Sequence, residues 1–224
     1  MTDRSDMMAR SGYLTVLDRE IHYTEWGAPG APAILAAHGL ARTGRDMDAL
    51  AAPLAGRYRI LCPDPIGRGL SQWSPAPDDE YCLDFYARHL AAFADVLGIG
   101  TMAWVGTSMG GAIGLVAAAG ALRGRITHLV LNDNAPQLDA EAIGRIRAYA
   151  GHPPAFGTVT ELEDYFRRVY QPYGWLPDAA WRRLTETSVR PCRTAGSRRT
   201  TIRPSSGSST ARPTTTCAGT STTR

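Results

Sequence analysis

Apolar residues fall in short strand-like runs over the first half of the chain and then shift to helical spacing. Tyr13 to Val16 and Glu20 to Glu25 read as two short strands, the second with an alternating apolar pattern. Gly27-Ala28-Pro29-Gly30-Ala31-Pro32 is a turn, and Ala33 to Ala37 is a buried strand that ends at His38-Gly39. Asp46 to Leu54 looks helical, and Tyr58 to Cys62 is the next strand, stopped by Pro63-Asp64-Pro65. Tyr81 to Leu97 repeats apolar residues at helical spacing and closes at Gly98. Met102 to Val105 is a strand, Gly111 to Leu122 a segment of small apolar residues, and Ile126 to Leu131 one more strand. Strands alternating with helices predict an α/β fold with a mostly parallel sheet and right-handed crossovers.

After Pro136 the spacing is helical only. Ala140 to Tyr149 is one helix; a second opens on a capping box at Thr160 and Glu163 and sets Leu162, Phe166 and Val169 on one face. Pro177 to Leu184 is a third, with proline at its start. Three helices without an intervening strand predict a lid over the C-terminal edge of the sheet. Tyr165, Phe166, Tyr170, Tyr173 and Trp175 either line an apolar acyl pocket there or pack the lid itself. The expected organisation is a core over 1–136, a helical lid over 137–190 and a tail over 191–224.

Composition narrows the setting. The chain has 224 residues and an apolar fraction of 44%, which suits a soluble globular protein. Its longest apolar stretch is too short to span a bilayer, and Met1 to Ser11 lacks the apolar middle of a signal peptide, so a cytoplasmic location away from membranes is expected. Cys62, Cys82, Cys192 and Cys217 have no metal-ligand spacing and read as reduced thiols. The net charge of +3 comes from the tail, where six arginines meet no acid; the remainder is 18 arginines minus 21 acids, or −3, and predicts no nucleic-acid partner.

The chemistry concentrates at Gly106-Thr107-Ser108-Met109-Gly110, a G-x-S-x-G run between a strand and a small-residue helix. A serine on so tight a turn crowds the positions two before and two after it, and glycine relieves that crowding. The hydroxyl then projects above the sheet while the helix aims its first N–H groups at developing negative charge. Ser108 is the expected nucleophile. A serine needs a base, yet the histidines are His22, His38, His89, His128 and His152, and none follows position 152.

The elbow, the His38-Gly39 strand end and the position of the lid together resemble the α/β-hydrolase fold family. Asp64-Pro65-Ile66-Gly67-Arg68-Gly69-Leu70-Ser71 resembles its D-x-x-G-x-G-x-S loop, and Leu129-Val130-Leu131-Asn132-Asp133 its sixth-strand end. The resemblance implies that Ser108 is the nucleophile and that the backbone N–H groups of Leu40 and Met109 form the oxyanion hole. It also implies that Asp64 and Arg68 pin a loop, and that no cofactor or metal takes part. The implied reaction is acyl-enzyme hydrolysis of a small ester, lactone or related carbonyl compound, with C–C hydrolysis of a diketone open to the same site. The family's acid and histidine follow strands seven and eight, which this sequence does not show. Asp133 and His152 are the available substitutes. The alternatives are a non-catalytic small-molecule-binding protein and an inactive truncated product.

Residues 191–224 hold ten threonines, six serines and six arginines with one large aliphatic, Ile202. That composition reads as disordered or as an out-of-frame translation. All 24 basic residues are arginine, as G/C-rich codons favour. Back-translating from Arg190 with such codons and restoring one G within codon 191 gives R-R-L-P-D-G-R-F-T-T-H-Y-D-P-A-I-V-R-Q-F, a string with acids, aromatics and apolar residues.

Overall fold

The computed structural model describes residues 8–134, 155–193 and 200–204. Its main sheet has six strands in the order β1-β2-β4-β3-β5-β6. These are β1 (Arg10–Val16), β2 (Arg19–Trp26), β3 (Ala33–Ala37), β4 (Arg59–Pro63), β5 (Met102–Thr107) and β6 (Ile126–Asn132). β1 pairs antiparallel with β2, and β2 with β4; the β4-β3-β5-β6 part is parallel. The expected α/β class with a mostly parallel sheet is therefore the observed one, each strand reaching one to three residues beyond its sequence-predicted span at one end or both except β3. A 3₁₀ turn at Gly44–Met47 leads into α1 (Asp48–Leu54), and α2 (Pro77–Glu80) precedes α3 (Leu83–Val96). α4 (Met109–Ala119) follows β5 directly.

Two apolar layers sandwich the sheet. α3 and α4 cover one face, with Tyr86, Leu90, Phe93, Trp104 and Ile113 essentially inaccessible. Trp26, Ile34, Met47, Ala51 and Ile60 fill the other face under α1. β3 and β4 lie inside this sandwich, which explains the apolar runs AILAA in β3 and ILC in β4. β6 is the outer strand among the described residues, and its Val130 is 51% exposed.

In the lid, α5 (Val159–Val169) and α6 (Asp178–Ser188) pack around Leu162, Phe166 and Trp181. The capping box sits two residues earlier than the spacing predicts, at Thr158 and Glu161: Glu161 N–H donates to Thr158 Oγ1 at 3.2 Å, and the Glu161 carboxylate accepts from Thr158 N–H at 3.3 Å. Glu163 instead forms ion pairs with Arg167 and Arg182 at 2.8 and 2.7 Å. The helix expected over 140–149 lies outside the described residues. Two more strands, β7 (Val189–Arg193) and β8 (Thr200–Pro204), pair antiparallel with each other and stand apart from the main sheet. Cys62 is a free buried thiol, whereas Cys82 is disulfide-bonded, which corrects the expectation of four reduced cysteines.

Candidate active site

β5 runs through the middle of the parallel strands, with Gly106 opposite Ala37 of β3 and Thr107 opposite Asn132 of β6. At Ser108 the backbone turns sharply, with φ 50° and ψ −115°, and α4 starts at the next residue. A non-glycine residue held there stores about 1–3 kcal/mol of strain, so the surroundings must enforce it. Ser108 N–H donates to the Asn132 carbonyl at 3.0 Å. The Ser108 carbonyl accepts from the N–H groups of Gly111 and Ala112 at 2.9 and 3.0 Å and from the Asn134 side-chain amide at 2.5 Å. The Trp104 indole donates to the Gly110 carbonyl at 3.0 Å. A β-carbon on Gly106 would collide with the Gly110 backbone, and one on Gly110 with the Ala37 carbonyl. The crowding expected two residues either side of Ser108 is thus present in backbone atoms that cannot move aside.

The Gly39 turn comes close to the elbow, since a β-carbon built there would stand 3.7 Å from that of Ser108. Leu40 lies just beyond it, partly buried against the main core. Met109 is the buried first residue of α4, where backbone N–H groups have no partner within the helix. Asn134 and Trp104 brace the elbow but were not singled out by the motif. Periodicity marks Trp104 only as core, and nothing in the local sequence distinguishes Asn134 from a loop asparagine.

Each described histidine is engaged away from Ser108. His22 bonds Ser11 and Asp64, His38 Nδ1 donates to the Gly39 carbonyl at 2.7 Å, His89 Nε2 to the Val16 carbonyl at 3.0 Å, and His128 contacts Thr127. Burial lowers the proton affinity of His38 and of His89 below the ordinary imidazole range. Asp133 follows β6 in a left-handed conformation, φ 51°, with an exposed side chain. His152 lies outside the described residues.

Asp64 ties together the loops that face the sheet's C-terminal edge. Its carboxylate accepts from Gly44 N–H at 2.6 Å, Leu70 N–H at 3.0 Å and His22 Nδ1 at 2.7 Å. Burial alone would raise its pKa, but the His22 hydrogen bond, the nearby His38 ring and the two backbone donors outweigh that and hold it below the usual carboxylate range. Arg68 is buried, with its guanidinium donating to the Gly67 carbonyl at 2.9 Å and 5.6 Å from the Tyr81 ring centre.

The lid is fastened to these same loops. Arg42 pairs with Asp46 at 2.6 Å and lies 5.8 and 5.5 Å from the ring centres of Phe166 and Tyr170. Thr43 donates to the Thr187 carbonyl at 3.1 Å, and Arg183 pairs with Asp48 at 3.0 Å. A cavity of about 450 Å³ beneath α6 is lined by His22, Thr43, Asp64, Arg183, Glu186 and Thr187, among others. Neither Ser108 nor Tyr165, Phe166, Tyr170 or Trp175 is among its lining residues, and the Tyr173 side chain lies outside what the structure describes. Phe166 is instead core, with Tyr170 stacked on it and Tyr165 tilted against it, and Trp175 is 85% exposed. Phe166, Tyr165 and Tyr170 pack the lid rather than line that cavity, and Trp175 points to solvent. Among the described residues, no helix is long and apolar enough to cross a membrane.

Comparison with known proteins yields a coherent set. A family model described as "alpha/beta hydrolase fold" matches residues 32–170. A 3-hydroxybutyrate-oligomer hydrolase of Cupriavidus necator is 39% identical over 170 residues, which is 75% of this chain and 57% of that protein. Lipase LipV of Mycobacterium tuberculosis is 34% identical over 127 residues, 57% of this chain and 46% of the lipase. The chain therefore spans about half the length of these curated relatives. An α/β hydrolase from Novosphingobium aromaticivorans superposes with a TM-score of 0.78 at 29% identity, covering 96% of this chain and 74% of that one.

Proposed function

Because this chain belongs to the α/β-hydrolase fold family, we propose that the parent protein is a serine hydrolase whose nucleophile is Ser108. Ser108 Oγ attacks the carbonyl carbon of a small ester or lactone, the N–H groups of Leu40 and Met109 hold the oxyanion, the alcohol departs, and water releases the acid. The reaction needs no cofactor. The observation that carries this reading is the backbone of Ser108, φ 50° and ψ −115° between β5 and α4, held by bonds from Gly111, Ala112 and Asn134. The name of the Cupriavidus necator relative makes oligoesters of 3-hydroxybutyrate the first substrates to try.

The same reading includes the origin of the tail. Residues 191–224 are an out-of-frame translation, and restoring one base at codon 191 opens a frame whose acids, aromatics and apolar residues replace the Thr/Ser/Arg-rich tail. The chain 1–224 is then poorly soluble, with β6 the outer strand among the described residues, and nearly inactive toward p-nitrophenyl esters. DNA sequence across codon 191 decides the point, since a frame intact there and nothing hydrolase-like in the shifted frame would remove it.

A fluorophosphonate probe tests the nucleophile. Labelling at Ser108 in the frame-restored protein is expected, and a folded restored protein that stays unlabelled there would refute the assignment. One observation favours a second reading, that of a binding protein: no described histidine bonds the Ser108 hydroxyl. Saturable ligand binding without labelling would establish it.

A further inference from the structure

We propose that Ser11 is a second reactive serine, activated by His22 and Asp64, which takes an acyl or phosphonyl group from small activated donors in solution. Sheet geometry assembles the three side chains. β1, β2 and β4 are neighbours in the sheet, and Tyr13 stands opposite His22. Ser11, two residues earlier on β1, therefore shares the face of the sheet that His22 occupies. Across the other side of β2, Tyr23 pairs with Pro63, so Asp64 comes beside His22 and donates its N–H to the His22 carbonyl at 2.9 Å.

The hydrogen bonds have the order a nucleophile, base and orienting acid require. His22 Nδ1 is 2.7 Å from Asp64 Oδ2, and His22 Nε2 is 2.8 Å from Ser11 Oγ. A carboxylate only accepts, so Nδ1 carries a hydrogen, and Nε2, when it carries none, accepts from the Ser11 hydroxyl. Asp64 cannot swing away, since Gly44 and Leu70 N–H groups also hold it. The ring of Tyr13, 4.9 Å from that of His22, covers the imidazole. His22 and Asp64 are buried while Ser11 is exposed, so a dry relay ends in a hydroxyl that solvent-borne donors reach.

With a fluorophosphonate, Ser11 Oγ attacks phosphorus, the P–F bond breaks, fluoride leaves, and the hydroxyl proton passes to His22 Nε2 and on to water. With an activated ester, the Oγ–acyl bond forms as the alcohol or phenol departs with that proton. Ser11 sits in the middle of a regular β1–β2 pairing rather than at a helix N-terminus. Acylation there is therefore stoichiometric modification rather than rapid turnover.

The test uses the frame-restored protein carrying Ser108→Ala, treated with a fluorophosphonate and mapped by peptide mass spectrometry. Expected is adduct on Ser11, formed on the order of 10²-fold faster than in the Ser108→Ala/His22→Gln protein. The adduct vanishes in Ser108→Ala/Ser11→Ala, whose circular dichroism is unchanged. Should His22→Gln fail to fold, the same Ser108→Ala chain unfolded in urea supplies the control, with Ser11 labelling expected to collapse. A folded Ser108→Ala chain with no adduct at Ser11, or with adduct formed at the urea rate, overturns the proposal. Ser108 labelling is read separately in the frame-restored protein without Ser108→Ala, so either site can fail without the other.

Discussion

Ser108 and Ser11 divide between them what a hydrolytic serine needs. Ser108 has a strained turn, the start of an 11-residue helix beneath it and a neighbouring backbone loop, but no described histidine at its hydroxyl. Ser11 has the histidine and the buried carboxylate in sequence, at 2.8 and 2.7 Å, but lies in relaxed extended strand. The difference teaches that the two halves of the machinery have separate structural origins. Electrostatic stabilisation of an oxyanion comes from a backbone conformation, which a five-residue motif specifies. A base and its orienting acid come from side chains that strand register brings together over long stretches of sequence.

The largest effect that sharpens this contrast is at Asp64. Asp64→Ala strips a buried acceptor from His22, Gly44 and Leu70. It is expected to cost about 3–5 kcal/mol in urea unfolding, since it leaves buried donors unpaired. A cost under about 1 kcal/mol would mean the loop does not depend on it. A smaller effect, and one of opposite sign at the two serines, follows from backbone strain. Ser108→Gly relieves a φ of 50° and is expected to stabilise by about 1–2 kcal/mol, whereas Ser11→Gly in a regular strand destabilises by about 0.5–1 kcal/mol. Equal shifts of the same sign would break the contrast.

The smallest effect is a pH dependence. Burial lowers His38 and His89 beneath their ordinary value of 6.5, so the unfolded chain takes up protons first as pH falls. Their contribution to stability is complete above pH 6.5 and is lost as pH drops through their folded values. Asp64, held below 3.8, adds a second loss once pH falls under that value. Tm measured downward from pH 8 should hold level and then decline in these two stages; a Tm that rises on acidification would contradict it.

Most of the sheet and the elbow were legible in the sequence because each is a local pattern. Ala33–Ala37 is apolar throughout since both its faces are covered, and the Gly106 and Gly110 positions are dictated by backbone contacts within the same motif and with β3. The braces were not legible. Asn134 reaches the Ser108 carbonyl only because β6 lies beside β5, and the Arg42 contacts with Phe166 and Tyr170 join segments more than a hundred residues apart. Spacing predicts α5 and α6, but Thr158/Glu161 and Thr160/Glu163 satisfy the same capping pattern two residues apart, and burial of Glu163 in ion pairs excludes the second. The Ser11–His22–Asp64 relay has no sequence signature, since it exists only through the register of three strands.

The central claim, that Ser108 is the nucleophile of an α/β hydrolase, is tested most directly by hydrolysis of a p-nitrophenyl ester by the frame-restored protein with and without Ser108→Ala. The account predicts a fall in kcat on the order of 10⁴-fold or more, with the fold intact. Undiminished turnover by the folded Ser108→Ala protein would contradict it.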